Sequence, residues 1–409
     1  MYRWTYLLGK LLAGFVLLGI IGKLPAQNQT VGLFTSKLEA FSGYTLFSPL
    51  LSPNHYLIDN CGNVVHRWET DMPLGNSHYL LEDGRLLKTA VSQNVNSTIT
   101  GAGGGEELQI LSWEGEILWQ FNPTTDSLRP HHDIEPLPNG NVLIIVWEAI
   151  RGIDAIAVGR DVALLPQGVI WSETVLEVKP TGPETGEIVW QWRLWDHLVQ
   201  DRSPQKLNYG SVEDHPELMD LNFVNQTLTP VGEADWIHFN AIDYNSELDQ
   251  ILLSSQRLSE IYIIDHSTTT NEASGHVGGN QGKGGDFLFR WGNPQSYRAG
   301  DILDQQLFAQ HDAKWITSDL RGEGNILVFN NGNNQRPWST VLEITPPLQS
   351  DGSYEITSGQ PFGPATPSWS YTDPSPIDFY SWFISGAQRL PNGNTMICDG
   401  AHGTFFEID

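Results

Sequence analysis

Short runs of β-branched, leucine and aromatic residues, each closed by a polar or glycine-containing turn, follow one another along the chain, and no long segment after the N-terminus keeps helical spacing. The runs recur as one unit. His55–Asp59 and Val64–Trp68 lead to Ser77–Leu87, and Leu108–Leu111 and Glu116–Phe121 lead to His131–Trp147. Val175–Val178 and Glu187–Trp192 lead, after a long insertion, to Trp236–Ser255. Glu260–Asp265 and Phe287–Trp291 lead to Gln310–Phe329, and Val341–Ile344 and Ser368–Tyr371 lead to Ser385–Cys398. Thr404–Asp409 opens a further copy, and strands such as Gly43–Phe47 are candidates to close a ring. Four strands per repeat, five to six times over, predicts an all-β chain folded as a β-propeller. The Trp-bearing strand is expected outermost, its ring covering the next blade. The hairpin strand that carries histidines is expected innermost, lining a central channel.

The hairpin turns are written in Leu137-Pro138-Asn139-Gly140-Asn141 and again in Leu390-Pro391-Asn392-Gly393-Asn394. Asn and Gly both tolerate the positive φ that tight hairpin turns demand. Two long insertions between strands, Trp195–Ala234 and Ser267–Asp286, interrupt the rhythm. The second holds Gly278–Gly285, which superficially resembles a phosphate loop. It has Val277 where the first glycine belongs and Gly284 where Ser or Thr is needed, so it reads as a flexible loop.

Composition agrees with many short strands and turns: 15 Trp, 12 Tyr and 16 Phe accompany 40 Gly and 24 Pro. Residues 1–27 read as a signal peptide, with Arg3 and Lys10 before an apolar stretch, Leu11–Gly22, that is too short to span a bilayer. Residues 28–409 are then expected to be a single β-propeller catalytic domain, periplasmic or secreted, with no stable membrane insertion after cleavage. Loss of Arg3, Lys10 and Lys23 would take the formal charge from −26 to −29. Such a surface repels nucleic acid and anionic membranes and excludes them as partners. An anionic substrate would need a locally positive pocket. The two cysteines, Cys61 and Cys398, lie near opposite ends, where a disulfide or two free thiols are equally consistent with an exported chain.

Most of the twelve histidines (His55, His66, His197, His215, His266, His276 and His402 among them) read as structural or solvated, and His78 as either packed or channel-facing. Three stand apart because they occupy matched places in successive repeats: His132 before Asp133, His238 before Phe239-Asn240, and His311 before Asp312. A ring would bring them together at its axis, where three imidazoles can bind a metal, relay protons, or act as nucleophile with acid and base. His131 is expected on the opposite strand face, in a structural role.

His-Asp followed by Leu-Pro-Asn-Gly-Asn, the run Trp236–Tyr244, and Phe308–Ala313 before Asn325–Gly332 are similar to bacterial arylsulfate sulfotransferases, over a span from about Gly43 to the C-terminus. The resemblance implies a six-bladed propeller, exported, that moves a sulfuryl group from an aryl sulfate to a phenol without a nucleotide donor. It implies His311 as the sulfated histidine, with His132 and His238 binding the sulfuryl oxygens and shuttling protons. It calls for no cofactor and no metal; a homodimer is the candidate assembly. The family also carries an arginine in a Ser-Ser-Arg context, whereas here the run is Ser254-Ser255-Gln256-Arg257. On a regular strand that one-residue slip reverses the side chain, and a bulge restores it. Arg257 is therefore the catalytic candidate, with Gln256 and Asn240 as substrate-binding candidates. The rival readings are a metal-dependent hydrolase using His132, His238 and His311, and a non-catalytic binding propeller.

Overall fold

The computed structural model describes residues 31–92 and 98–409, so the expected signal peptide lies outside the described residues. Six small antiparallel sheets stand in a ring. The first blade has β1 (Tyr44–Phe47), β2 (Asn54–Asp59) and β3 (Val64–Glu69). The second has β4 (Leu74–Leu80), β5 (Leu86–Ala90), β6 (Glu107–Leu111) and β7 (Ile117–Phe121). The third has β8 (Leu128–Pro136), β9 (Val142–Arg151), β10 (Val169–Gly182) and β11 (Thr185–Arg193). In the first insertion β12 (Leu198–Val199) and β13 (Met219–Asp220) pair in parallel. The fourth blade has β14 (Phe239–Asn245), β15 (Gln250–Ser255), β16 (Glu260–Asp265) and β17 (Phe289–Trp291). The fifth has β18 (His311–Trp315), β19 (Ile326–Asn330), β20 (Thr340–Ile344) and β21 (Trp369–Tyr371). The sixth has β22 (Gly386–Arg389), β23 (Thr395–Asp399) and β24 (Thr404–Ile408).

The hairpin signal works through glycine alone. Gly140 N–H donates to the Leu137 carbonyl at 2.9 Å, Leu137 N–H to the Asn141 carbonyl at 2.9 Å, and only Gly140 takes a positive φ, 84°. Asn139 instead caps the turn, its Oδ1 accepting from Asn141 N–H at 2.9 Å. The same pair of bonds closes the turns at Gly84, Gly115 and Gly393.

The outer strands carry the blade-to-blade packing. Trp68, Trp119, Trp192 and Trp291 are buried, and each indole N–H donates across to the next blade: to the carbonyls of Ser112 (3.1 Å), Thr185 (2.9 Å), Gly285 (2.7 Å) and Pro364 (2.7 Å). A buried ring with its one polar atom satisfied gains area without leaving an orphan donor. Replacing one by Ala would cost about 3–5 kcal/mol.

β1 joins β2, not the last sheet, so the ring closes by face packing. Phe47 meets Phe405 at 5.5 Å between ring centroids. Glu407 accepts from the N–H of Phe41 at 2.9 Å and from the Asn394 amide at 2.6 Å. Cys61 is exposed, Cys398 half-buried, and both are free thiols.

Near the axis the inner strands are laced by carboxylates. Asp133, Asp243 and Asp312 each accept a backbone N–H from the inner strand of the following blade: Ile242 (3.1 Å), Trp315 (2.6 Å) and Ala387 (2.9 Å). Burial pushes Asp133 up to about 6 and Asp243 up to about 7. Lys314, 2.7 Å from Asp312, is the cation among them.

Candidate functional site

Each histidine-bearing inner strand breaks its register where the histidine sits. The breaks fall between Pro130 and Ile134, Phe239 and Ala241, and His311 and Lys314. Positive φ marks them: 52° at His132, 55° at His238 and 54° at Asp312. Non-glycine residues rarely adopt this region, and each costs on the order of 1–3 kcal/mol. What the kinks do is turn side chains off the regular strand faces toward one another. The rings of His132 and His238 come within 4.5 Å, edge to face. His311 is close enough that its charge adds to those of His238 and His131 in lowering His132, and the charge of His238 lowers His311.

His311 is held in one tautomer. Its Nδ1 lies 2.8 Å from Asn331 Oδ1 and 3.1 Å from the Ala309 carbonyl, and both are acceptors. The orientation of the Asn331 amide follows from its other end, where Nδ2 donates to the carbonyls of Ser381 and Ile384, both at 2.8 Å. Nδ1 of His311 therefore carries the proton, and Nε2 presents a lone pair. Burial, with a lesser push from His238, pulls its pKa down to about 4, against the upward pulls of Asn331 and Ala309. An imidazole that stays neutral with a fixed free nitrogen is a nucleophile ready at neutral pH.

His132 ends a relay. Its Nδ1 is 2.9 Å from His131 Nδ1, and His131 Nε2 is 2.9 Å from Glu173 Oε2. An opposite-face position for His131 presumes a regular strand; the strand is irregular here, and the kink brings His131 and His132 together at their ring nitrogens. Trp147 stacks under His131 at 3.8 Å and fixes its plane. The chain can be protonated in two senses. With Glu173 ionised, His131 donates to it and accepts from His132, leaving His132 Nε2 a base. With Glu173 protonated the direction reverses, and His132 Nε2–H becomes an acid. Burial raises Glu173 well above the usual carboxylate range and lowers both histidines, so neutral forms are favoured along the relay.

His238 Nδ1 meets Asp235 Oδ2 at 2.6 Å. Burial alone would raise Asp235, but the neighbouring His238 and Arg257 hold it below the usual range. Arg257 reaches the same oxygen at 3.5 Å and donates to the Leu228 carbonyl at 2.8 Å. Neither Gln256 nor Arg257 lies on a strand. β15 ends at Ser255 and both sit in the turn that follows, so the alternation argument does not apply and Arg257 faces the Asp235–His238 pair. Asn240 is skipped by the register break; its Nδ2 donates to the Gln310 carbonyl at 2.6 Å. Among the described residues, Asn240 Oδ1, Gln256 Oε1 and Arg257 Nε are buried without a partner. Buried polar atoms are nearly always satisfied, so these three stand out among the polar groups of their strands and turns.

Sequence reasoning brought forward the three histidines and passed over what orients them: His131, Glu173, Asp235 and Asn331. Asp235 had a local signal, three residues before His238, and Asn331 lies in the Asn330-Asn331-Gly332 run. Glu173, on β10, had none. Among the described residues, the donor set suited to a metal lies elsewhere, at His197, His276 and Asp286.

The chain was compared with known proteins. None of the curated proteins matches it. Among solved structures, a protein of unknown function from Bacteroides caccae is 12% identical, covering 90% of this chain and 90% of that one, with a TM-score of 0.46. A putative 6-phosphogluconolactonase from Bacteroides fragilis is 9% identical, covering 90% and 94%, with a TM-score of 0.39. The sequence profile of the family described as Arylsulfotransferase (ASST) matches residues 37–408. With that match over nearly the whole length of a six-bladed ring, the chain belongs to the arylsulfotransferase family and is a sulfotransferase.

Proposed function

We propose that the protein moves a sulfuryl group from an aryl sulfate to a phenol through a covalent sulfohistidine at His311. The observation that carries the reading is the fixed tautomer of His311, with two acceptor oxygens on Nδ1–H and an unprotonated Nε2. In the first half-reaction Nε2 attacks sulfur, the sulfur–aryl oxygen bond breaks, and its electron pair leaves on the phenolate oxygen. That oxygen takes a proton from His132 or His238. The sulfated ring is an imidazolium, and the Asn331 and Ala309 oxygens stabilise its positive charge through Nδ1–H. In the second half-reaction an acceptor phenol returns the proton to the same histidine and attacks sulfur. The nitrogen–sulfur bond breaks and its pair returns to Nε2.

Sulfuryl transfer, like phosphoryl transfer, depends on positioning and on fixed donors around the equatorial oxygens. Arg257 supplies the positive charge that an otherwise acidic protein needs there, and Gln256 and Asn240 line the same place. Export to the periplasm or beyond belongs to this reading, and the N-terminal stretch with the pattern of a signal peptide supports it. Among the described residues no helix is long and apolar enough to cross a membrane.

The test is turnover of 4-nitrophenyl sulfate with and without a second phenol. Nitrophenol release that accelerates with acceptor, together with acid-labile sulfate on His311 when acceptor is withheld, is the expected result. Release indifferent to acceptor would make the protein a sulfatase and overturn the transfer step.

A further inference from the structure

The two insertions meet at a second group of histidines outside the central site. His197 follows the outer strand β11 at the root of the first insertion, and His276 and Asp286 belong to the second. The second insertion is not a loose loop. A short helix, Thr270–Ala273, opens it with a capping box from Thr269 and Glu272. The glycine run is then folded by backbone bonds from Gly284 to Gly278 (3.0 Å) and Gly285 to Gly275 (3.0 Å). A Cβ on Gly285 would sit 2.6 Å from His197 Nε2, so only glycine lets the chain approach this closely.

His197 is buried, its ring parallel to that of Trp192 at 5.6 Å. Its Nε2 is 2.8 Å from the Ala273 carbonyl, which can only accept, so Nε2 holds a proton. In the neutral ring Nδ1 is then a lone pair, and it lies 2.8 Å from Asp286 Oδ1. The same oxygen is 2.8 Å from Nδ1 of His276. The three donor atoms all lie within 4.8 Å of one another. A lone pair and a carboxylate at this distance must share either a proton or a metal ion.

We propose that His197, His276 and Asp286 bind a divalent transition metal, zinc by their donor chemistry, that clamps the two insertions together. Two imidazole nitrogens and one carboxylate oxygen, with water in the fourth position, is a set that zinc accepts. The His197 Nε2–H to carbonyl bond is the outer contact that metal-bound histidines characteristically make, fixing tautomer and ring plane. Bonds of about 2.0–2.1 Å put ligand atoms roughly 3.3 Å apart, so each histidine needs to move about half an ångström away from the Asp286 oxygen. His276, with its side chain 58% exposed, is free to make that movement and to admit the ion. The clamp matters to the rest of the molecule because the first insertion, anchored at His197, supplies the Leu228 carbonyl that holds Arg257.

The experiment uses full-length wild-type, His276→Ala and His311→Ala proteins, purified without chelator and assayed for metal content. Each is then stripped and titrated with Zn²⁺ while its melting temperature is followed, with Co²⁺ absorption as a second reading of the ligand field. The expected result is one metal per chain in wild type and in His311→Ala, and a melting temperature that rises with Zn²⁺ in both. In His276→Ala the affinity falls by more than the roughly 10–100-fold that losing an outer contact costs. Absence of metal together with silent Zn²⁺ and Co²⁺ titrations overturns the proposal and leaves a proton between His197 and Asp286. Metal retained in His276→Ala but lost in His311→Ala also overturns it, by moving the ion to the central histidines. Neither readout depends on sulfuryl transfer, so failure here and failure of the sulfohistidine reading are separately visible.

Discussion

The third, fourth and fifth blades bring histidines to the axis; the second and sixth bring Asn76 and Ser385 to corresponding kinks, with φ of 106° and 86°. The scaffold is shared: the glycine turn closes at Gly84 and Gly393 as it does at Gly140. What differs is where the polar contacts lead. Ser385 Oγ closes on its own blade, 2.7 Å from Ser381 Oγ and 3.0 Å from Gly400 N. Asn76 Nδ2 donates at 3.0 Å to the Gly103 carbonyl, which also receives the His132 N–H at 2.7 Å. Carbonyls of Ser381 and Ile384 fix Asn331, and through it His311. The blades with no histidine at the kink brace the ones that have it there.

The sharpest way to break this contrast is to exchange the roles. His311→Ala should lower transfer by a factor on the order of 10⁵–10⁶, the scale seen when a covalent nucleophile is removed. Ser385→Ala, at an equivalent kink, should change it by less than about threefold, because its hydroxyl reaches His311 only at third hand, through Ser381 and Asn331. Steady-state release of nitrophenol in the presence of acceptor measures both. Comparable losses in the two variants would mean that the kink, and not the side chain on it, carries the activity.

Asn331→Ala tests the brace itself and should lower kcat by about 100-fold, by freeing the His311 tautomer. The pH profile separates this from simple destabilisation. His311 works unprotonated, and burial sets its pKa at about 4, so the acid limb of activity should lie near pH 4, not near 6.5. The Asn331 hydrogen bond favours the protonated ring, and its loss should move the limb lower still. A limb that rises toward 6.5 would show instead that the site has opened to water.

How much of this was legible in the sequence follows from the range over which each signal acts. Strand runs, Trp positions and Asn-Gly turns are local patterns, and they yielded the blades, their order and their outer face. The matched histidines were legible because repetition makes position comparable. The kinks at His132 and His238 were not, since histidine's tolerance of positive φ does not single out one of twelve histidines; these backbones are held by tertiary bonds such as His132 N–H to Gly103. Glu173 lies 42 residues from His131 and is joined to it only by the fold. Arg257 was judged by strand alternation because Ser254-Ser255 looked like a strand that continues, and the turn after Ser255 removed the premise.

Relay and arginine should separate by which kinetic constant they move. Glu173→Gln keeps the size of the side chain but cannot change its proton count, so His132 loses the switch between acid and base. Transfer should fall by about 10–100-fold, and most for poor leaving groups, since they need the proton most. A loss equal for nitrophenol and unsubstituted phenol donors would reduce Glu173 to a packing role. Arg257→Ala should act mainly through KM, raising it by about tenfold with little change in kcat, if its charge serves to draw the sulfate in. Gln256→Ala should have the smallest effect, a few-fold, since a neutral amide in the same turn adds one hydrogen bond and no field. Added salt gives the finer cut: screening should weaken donor binding to wild type and to Gln256→Ala in parallel, and leave Arg257→Ala nearly indifferent. Equal salt sensitivity in all three would transfer the attraction of the anion from Arg257 to some other charge in the ring.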